Sequence, residues 1–323
     1  MTRFRFLIAF ILVFASGMTL AQAQNKYPAR PITLIVPFAP GGSSDIFARD
    51  FARRLEGRLG QQIIIENRGG ASGAIGTAAA AKAAPDGYTL LLGHTTALAV
   101  LPILRSDLNY APLKDFAPIT LIAATPQVLV VHPSVANSIG EFLTRVKAEP
   151  GKLTYASGGA NTPPHLAAEL FKQQAGIDIL HVPFNGSAPG TSALLGGHVH
   201  AGFQNIDSIL PQIQSGALKP LAIAAEKRSE FLPDVPTFDE AGVRGVVNKT
   251  WFSIVAPANV PKDVLEVLQK AASAIVVSED FQRFVKAQVA EQLPAGPDAF
   301  RDFLKEEIDR WTRVLRSASA QIN

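Results

Sequence analysis

Apolar and polar positions along this chain follow two rhythms in alternation. Ile32-Thr33-Leu34-Ile35-Val36 is a β-branched run closed by Pro37 and by Pro40-Gly41-Gly42, which predicts a short strand. Phe47, Phe51, Leu55 and Leu59 then recur at four-residue spacing, with Arg49, Arg53 and Arg58 on other faces. This predicts an amphipathic helix, capped at its start by the hydroxyls of Ser43-Ser44-Asp45 and stopped at Gly60. Strands over 62–66 and 88–92 and an alanine-rich helix over 74–84 complete the order strand–helix–strand–helix–strand. That order reads as a parallel α/β sheet with helices on both faces.

The rhythm repeats further on, with strands over 128–131, 153–156, 179–182, 199–203 and 218–224 and helices over 139–148, 164–174 and 190–195. A long polar, proline-rich connection spans 226–243, and Trp251 to Val255 returns as a strand. Two helices close the chain, the last with Phe300, Phe303, Leu304, Ile308, Trp311 and Leu315 on one side. Two α/β units of similar design, the first completed by the C-terminal residues, would leave a cleft between them. In open α/β sheets ligands sit at the carboxyl ends of the strands, so that cleft is the expected site.

Composition agrees with this picture: 323 residues suit two domains, and 47% hydrophobic with 18% charged residues describes a globular chain. Arg3 and Arg5, the apolar run Phe6 to Phe14 and Ala21-Gln22-Ala23 form the three parts of a secretory signal, predicted to be cut after Ala23. The run is too short for a spanning helix, which needs about 20 apolar residues. Without Arg3 and Arg5 the net charge falls from +3 to +1, which leaves no surplus for a nucleic acid backbone. The chain has no cysteine, so disulfides, thiolate metal sites, a cysteine nucleophile and a lipid-bearing N-terminal cysteine are excluded.

Candidate chemistry sits in the loops. Phe38-Ala39-Pro40-Gly41-Gly42-Ser43-Ser44 joins a strand end to a helix start, where free amides and the positive end of the helix dipole suit an anion. The same residues fit a tight turn with a serine cap equally well. Asp45 aimed into an anion pocket would repel its ligand, so it is expected to cap or face away. Asn67-Arg68-Gly69-Gly70-Ala71-Ser72-Gly73, Ser157-Gly158-Gly159-Ala160-Asn161-Thr162 and Phe184-Asn185-Gly186-Ser187 are comparable loops, all facing one cleft if the sheets are parallel. No dinucleotide or P-loop spacing occurs, and no cofactor is predicted. Gly70-Ala71-Ser72-Gly73-Ala74 approaches the nucleophile elbow of serine hydrolases but ends in Ala. His198 and His200, two apart on a strand, lack a third metal ligand, so no metal is expected and a sheet-surface role is. His94 ends a strand within reach of a ligand, with Thr95 beside it, and His165 lies near a helix start, four residues before Glu169. His132 and His181 read as ordinary strand residues.

From Tyr27 onward the chain resembles the periplasmic substrate-binding proteins of tripartite tricarboxylate transporters, the TctC or Bordetella-uptake-gene type. The resemblance rests on Tyr27-Pro28, Ile32 through Phe38, Pro40-Gly41-Gly42-Ser43-Ser44-Asp45, Glu66 through Gly73, and Ala84-Pro85-Asp86-Gly87-Tyr88-Thr89-Leu90. It continues through Lys114-Asp115-Phe116-Ala117-Pro118, Pro150 through Tyr155, Thr162 through Ala167, His181-Val182-Pro183-Phe184, Leu232 through Thr237 and Trp251-Phe252. It implies a two-domain α/β periplasmic-binding-protein fold of the Venus-flytrap, type II-like kind. Domain 1 is expected over 24–124 and 225–323 and domain 2 over 125–224, with hinges near Ala124–Thr125 and Ala224–Ala225.

The resemblance also implies that Phe38 through Ser44 hold a ligand carboxylate through backbone amides and ordered water, while Ser157, Asn161 and the Phe184–Ser187 turn hold its other end. The expected binding set is Phe38, Ala39, Gly41, Gly42, Ser43, Ser44, Asp45, Ser72, His94 and Thr95 from the first unit. Ser157, Asn161, His165, Phe184, Ser187, Gln204 and Asn205 join it from the second. Phe203-Gln204-Asn205 carries an amide where relatives often have an aspartate, which speaks against an amino acid ligand. His94 stands where small polar residues are common, and Ser253 where glycine is frequent. A monomeric, non-enzymatic receptor is implied, free in the periplasm, that takes a di- or tricarboxylate or aromatic acid to integral membrane subunits of a tripartite tricarboxylate-type transporter. A sensor input that docks to a signalling receptor is the alternative. A secreted hydrolase is a third reading, and it requires a base beside Ser72 or Ser187.

Overall fold

The computed structural model describes residues 27–320, so the signal expected over 1–23 lies outside the described residues. The first sheet is built from β1 (Ile32–Val36), β2 (Ile63–Asn67) and β3 (Thr89–His94), with β1 parallel to both neighbours. β4 (Phe116–Val131) is 16 residues long and runs on into a second sheet, where β5 (Thr154–Ser157), β6 (Leu180–Pro183), β7 (Ala201–Asn205) and β8 (Lys219–Ile223) assemble. β9 (Lys249–Pro257) returns to lie antiparallel between β3 and β4. The strand order is β2-β1-β3-β9-β4-β7-β5-β6, with β8 and the two-residue β10 (Glu291–Gln292) also on β4.

Helices cover both faces of both sheets. α1 (Ser43–Leu59) buries Phe47, Ala48, Phe51 and Leu55 against the first sheet, with α7 (Lys262–Val276) and α8 (Glu279–Ala287) on the same side. Phe47 stacks on Phe252 of β9 at 4.9 Å between ring centres. Each such buried phenylalanine stabilises the fold by about 2–3 kcal/mol. The other face is covered by α2 (Ala74–Ala81) and α9 (Pro297–Ala320), with Phe300, Leu304 and Trp311 inward. In the second sheet α3 (Ile139–Ala148) and α4 (Pro163–Ala175) enclose Phe142, Phe171, Phe203 and Phe238, while α5 (Ser187–Leu195) and α6 (Ile206–Gln214) cover the opposite face with Leu194, Ile206 and Ile209.

Four expectations need correction. The sheets are mixed, not parallel, because β9 and β4 enter antiparallel. The run over 128–131 is the end of β4, which passes unbroken through Ala124–Thr125. Pro118 and Pro126 break the sequence signal there; register shifts near Pro118 and Leu121 absorb the irregularity, as prolines in strands require. The cap of α1 is Gly42; Ser43 and Ser44 are its first helical residues and make no capping bond. His198 and His200 lie in the turn before β7, where His200 Nδ1 accepts from the backbone N–H of Thr154.

Candidate functional site

Residues 37–44 run from the end of β1 into α1 and meet the second sheet's loops head on. At Gly42 a Cβ would stand 3.4 Å from Cβ of Ser187, and at Gly186 it would stand 3.3 Å from Ala39. Gly41 has φ +83°, a left-handed conformation that only glycine adopts without strain. The Asp45 carboxylate folds back to hold this turn, accepting from Gly41 N–H at 3.0 Å, Asn67 Nδ2 at 3.0 Å and Arg49 Nε at 2.7 Å. Burial opposes its ionisation, but the bonds from Arg49, Gly41 and Asn67 outweigh it and hold the carboxyl below the usual range. Direct bonds join the loops across the cleft: Asn205 Nδ2 donates to Ser43 Oγ at 3.0 Å, and Ser72 Oγ donates to the carbonyl of Ala160 at 2.6 Å. The cleft is closed.

Inside the closure is a cavity of ≈20 Å³, lined by Phe38, Ala39, Gly42, Ser43, Ser44, His94, Gly158, Thr162, Pro164, Gly186, Ser187 and Asn205. It has room for about one water molecule. The starts of four helices border it: Gly42–Ser44 of α1, Thr162 and Pro164 of α4, Gly186–Ser187 of α5, and Asn205 before α6. Helix N-termini carry partial positive charge and free amides, so their convergence favours an anion there without any Lys or Arg in the wall. Pro163 and Pro164 have no N–H, so α4 contributes its dipole and few donors. An adjoining chamber of ≈240 Å³ shares Phe38 and Gly158 and adds Ser72, Gly159, Ala160, Phe184 and Asn185.

His94 is the titratable group in the small cavity's wall. Burial holds it neutral, its pKa pushed down to about 3. Its Nδ1 accepts from the backbone N–H of Thr96 at 3.1 Å, so the ring proton sits on Nε2 as a neutral donor. Phe38 packs on the ring at 4.5 Å.

Of the expected binding set, the small cavity gathers Phe38, Ala39, Gly42, Ser43, Ser44, His94, Ser187 and Asn205, and the adjoining chamber adds Ser72 and Phe184. The others stand behind these walls. Thr95 Oγ1 accepts from Trp251 N–H at 2.8 Å and fastens β9 to the end of β3. Ser157 Oγ and His181 Nε2 are 2.7 Å apart under the second sheet's loop, so His181 is more than an ordinary strand residue. Asn161, at φ +61°, donates its N–H to His165 Nδ1 at 3.1 Å. Gln204 is fully buried beside Gly190 of α5, and neither end of its amide has a partner. Ser253 lies opposite Gly93 in the β3–β9 pairing, where the missing side chain of Gly93 makes room for its hydroxyl.

Sequence reasoning missed Pro164, because a proline signals a turn and not a ligand wall. It also missed Asp207, which is buried at the second position of α6 with neither carboxylate oxygen bonded. A larger groove of ≈570 Å³ lies elsewhere, lined by residues such as Pro126, Phe231 and Gln282. Three of its four cations, Arg228, Lys249 and Lys286, are paired with Glu240, Glu291 and Glu230, and none of the glycine-rich loops reaches it. Among the described residues no group of three or more metal-binding side chains occurs, and no helix is long and apolar enough to cross a membrane.

The sequence profile of the tripartite tricarboxylate transporter family receptor, TctC, matches residues 47–319. BugT of Bordetella pertussis is 38% identical over 314 residues, covering 97% of this chain and 96% of that one. The structure of R. palustris Rpa4515 with adipate superimposes with a TM-score of 0.87 at 33% identity, covering 91% of this chain and 98% of the other. MatC from Rhodopseudomonas palustris with bound malate gives a TM-score of 0.83 at 32% identity, covering 89% and 99%. These relatives are solute-binding proteins, not enzymes, and the fold is the mixed α/β fold of periplasmic binding proteins. The chain belongs to the tripartite tricarboxylate transporter receptors of the Bug type.

Proposed function

We propose that this receptor captures a small dicarboxylate in the periplasm by closing its two halves, and hands it to the membrane subunits of a tripartite tricarboxylate-type transporter. The observation that carries the reading is the convergence of four helix N-termini on a cavity whose wall holds no charged side chain. One carboxylate oxygen enters that cavity, and the neutral His94 Nε2–H and the Ser43 and Ser44 hydroxyls donate to it. The rest of the ligand extends into the adjoining chamber beneath Ser72 and Phe184. Gln204 supplies no charge for an ammonium, which fits an acid better than an amino acid. The adipate and malate held by the two structural relatives are of the class proposed. In this reading the moving halves are 24–124 with the C-terminal part of the chain, and 125–224 with the segment that carries Phe238, Val243 and Val246 into the second sheet's core; the cross-cleft bonds Asn205–Ser43 and Ser72–Ala160 form on closure.

Thermal denaturation with a panel of mono-, di- and tricarboxylates, aromatic acids and amino acids tests this. A ligand at 100 times its Kd adds about 2.7 kcal/mol, a rise of roughly 5 °C or more in Tm for a chain of this size. Dicarboxylates are expected to give that rise. A rise confined to amino acids, or none with any acid, would refute the proposal.

A further inference from the structure

Asp207 has no place in the site as described, yet it stands directly behind it. It occupies the second position of α6, two residues after the Asn205 that bonds across the cleft, and is 4% exposed. The hydroxyls of Ser43 and Thr125 face its carboxyl without closing a hydrogen bond of good geometry. The groups that act on it are uncharged: Ser43 from α1, Thr125 from β4 and the backbone N–H of Asp207 itself from α6. The carboxylate in α1's own first turn, Asp45, is already taken by Gly41, Asn67 and Arg49. Among the described residues no cation compensates Asp207.

The Ser43 hydroxyl is the link. Its oxygen accepts from Asn205 Nδ2, while Thr250 Oγ1 donates to Asn205 Oδ1 at 2.8 Å and fixes that amide. Ser43 therefore has one proton to give and two claimants: a ligand carboxylate in the cavity, or Asp207 behind it. An ionised Asp207 draws that proton backward, cancels the positive end of the α6 dipole and places a second negative charge against the anion. A protonated Asp207 donates to the Ser43 or Thr125 oxygen, which turns the Ser43 proton toward the cavity.

We propose that Asp207 is a positioning residue that couples capture to proton uptake: the carboxylate binds well only when Asp207 takes one proton from solvent. This rests on the dicarboxylate reading above and adds its regulation. Burial pushes the Asp207 carboxyl up to about 6, so the coupling acts near neutral pH. His94 in the cavity wall is held at about 3, and His181 at about 4, so neither imitates the effect there.

The test is calorimetric titration of the wild-type chain with adipate and with malate, from about pH 6.5 to 8, where both ligand carboxylates stay ionised. Two buffers of different ionisation enthalpy report the protons taken up. The expected result is uptake approaching one proton per ligand and a Kd that weakens up to about tenfold per pH unit. In Asp207→Asn both the uptake and the slope vanish, and affinity at pH 8 rises toward the wild-type value at low pH. Tight binding with no proton uptake overturns the coupling and leaves the receptor reading standing. If neither acid binds either protein at any pH, the dicarboxylate reading fails and the coupling fails with it.

Discussion

At the scale of single residues, the closest approach across the cleft is made where side chains are smallest. Gly42 has an ordinary backbone conformation, so a larger residue strains nothing locally, but its side chain would meet Ser187. Gly42→Leu is therefore expected to fold with a Tm within a few degrees of wild type and to lose ligand binding by 100-fold or more. Equal ligand-induced Tm shifts in both proteins would show that the cradle does not close there. His94→Ala removes a neutral donor from the cavity, and hydrogen bonds to charged groups contribute about 1.5–3 kcal/mol, which predicts a 10- to 100-fold loss of affinity by titration. Asp45 acts differently, through the loop. Its lowered carboxyl stabilises the fold above the unfolded-state pKa, and that stability is lost as pH falls through the folded-state value. Asp45→Asn should therefore narrow the stability gap between pH 7 and pH 3 in denaturation experiments.

Secondary-structure elements show how much of this was legible in the sequence. The β1–α1 loop was readable because Pro40-Gly41-Gly42-Ser43-Ser44 spells out a strand end, a left-handed turn and a helix start in adjacent positions. The convergence of α4, α5 and α6 on the same cavity was not, because each start is unremarkable by itself and only the sheet brings them together. The sequence signals only four residues of β4, which is 16 long. Its prolines at 118 and 126 argue against a strand locally, and long-range pairing with β9 overrides them. Asp207 was invisible for a related reason: an Asp in the first turn of a helix is ordinary until the turn is buried without a cation.

That burial has a measurable cost to the fold. With its folded pKa raised, Asp207 contributes stability that is present below about pH 4 and lost as pH rises through about 6. Asp207→Asn should accordingly be more stable than wild type at pH 7, by on the order of 2 kcal/mol, with the gain gone at acid pH. Equal denaturation midpoints at pH 7 would contradict it.

At the scale of the whole molecule, the same polar contacts that hold the cleft shut belong to the chain's own backbone and amides, not to the ligand alone. Ser72, at φ +55°, reaches Ala160 at the rim, while Asn205 reaches Ser43 at the base. Ser72→Ala removes one neutral hydrogen bond, about 1 kcal/mol, and should speed ligand release several-fold in stopped-flow experiments with little change in association. Both bonds join the halves proposed to move, so closure and capture are one event in this account. The most direct test is calorimetric titration of the wild-type and Gly42→Leu proteins with adipate and malate at about pH 6.5. The account predicts one-to-one binding of a dicarboxylate by the wild-type chain and none by the variant. Equal binding by both proteins, or by neither, would contradict it.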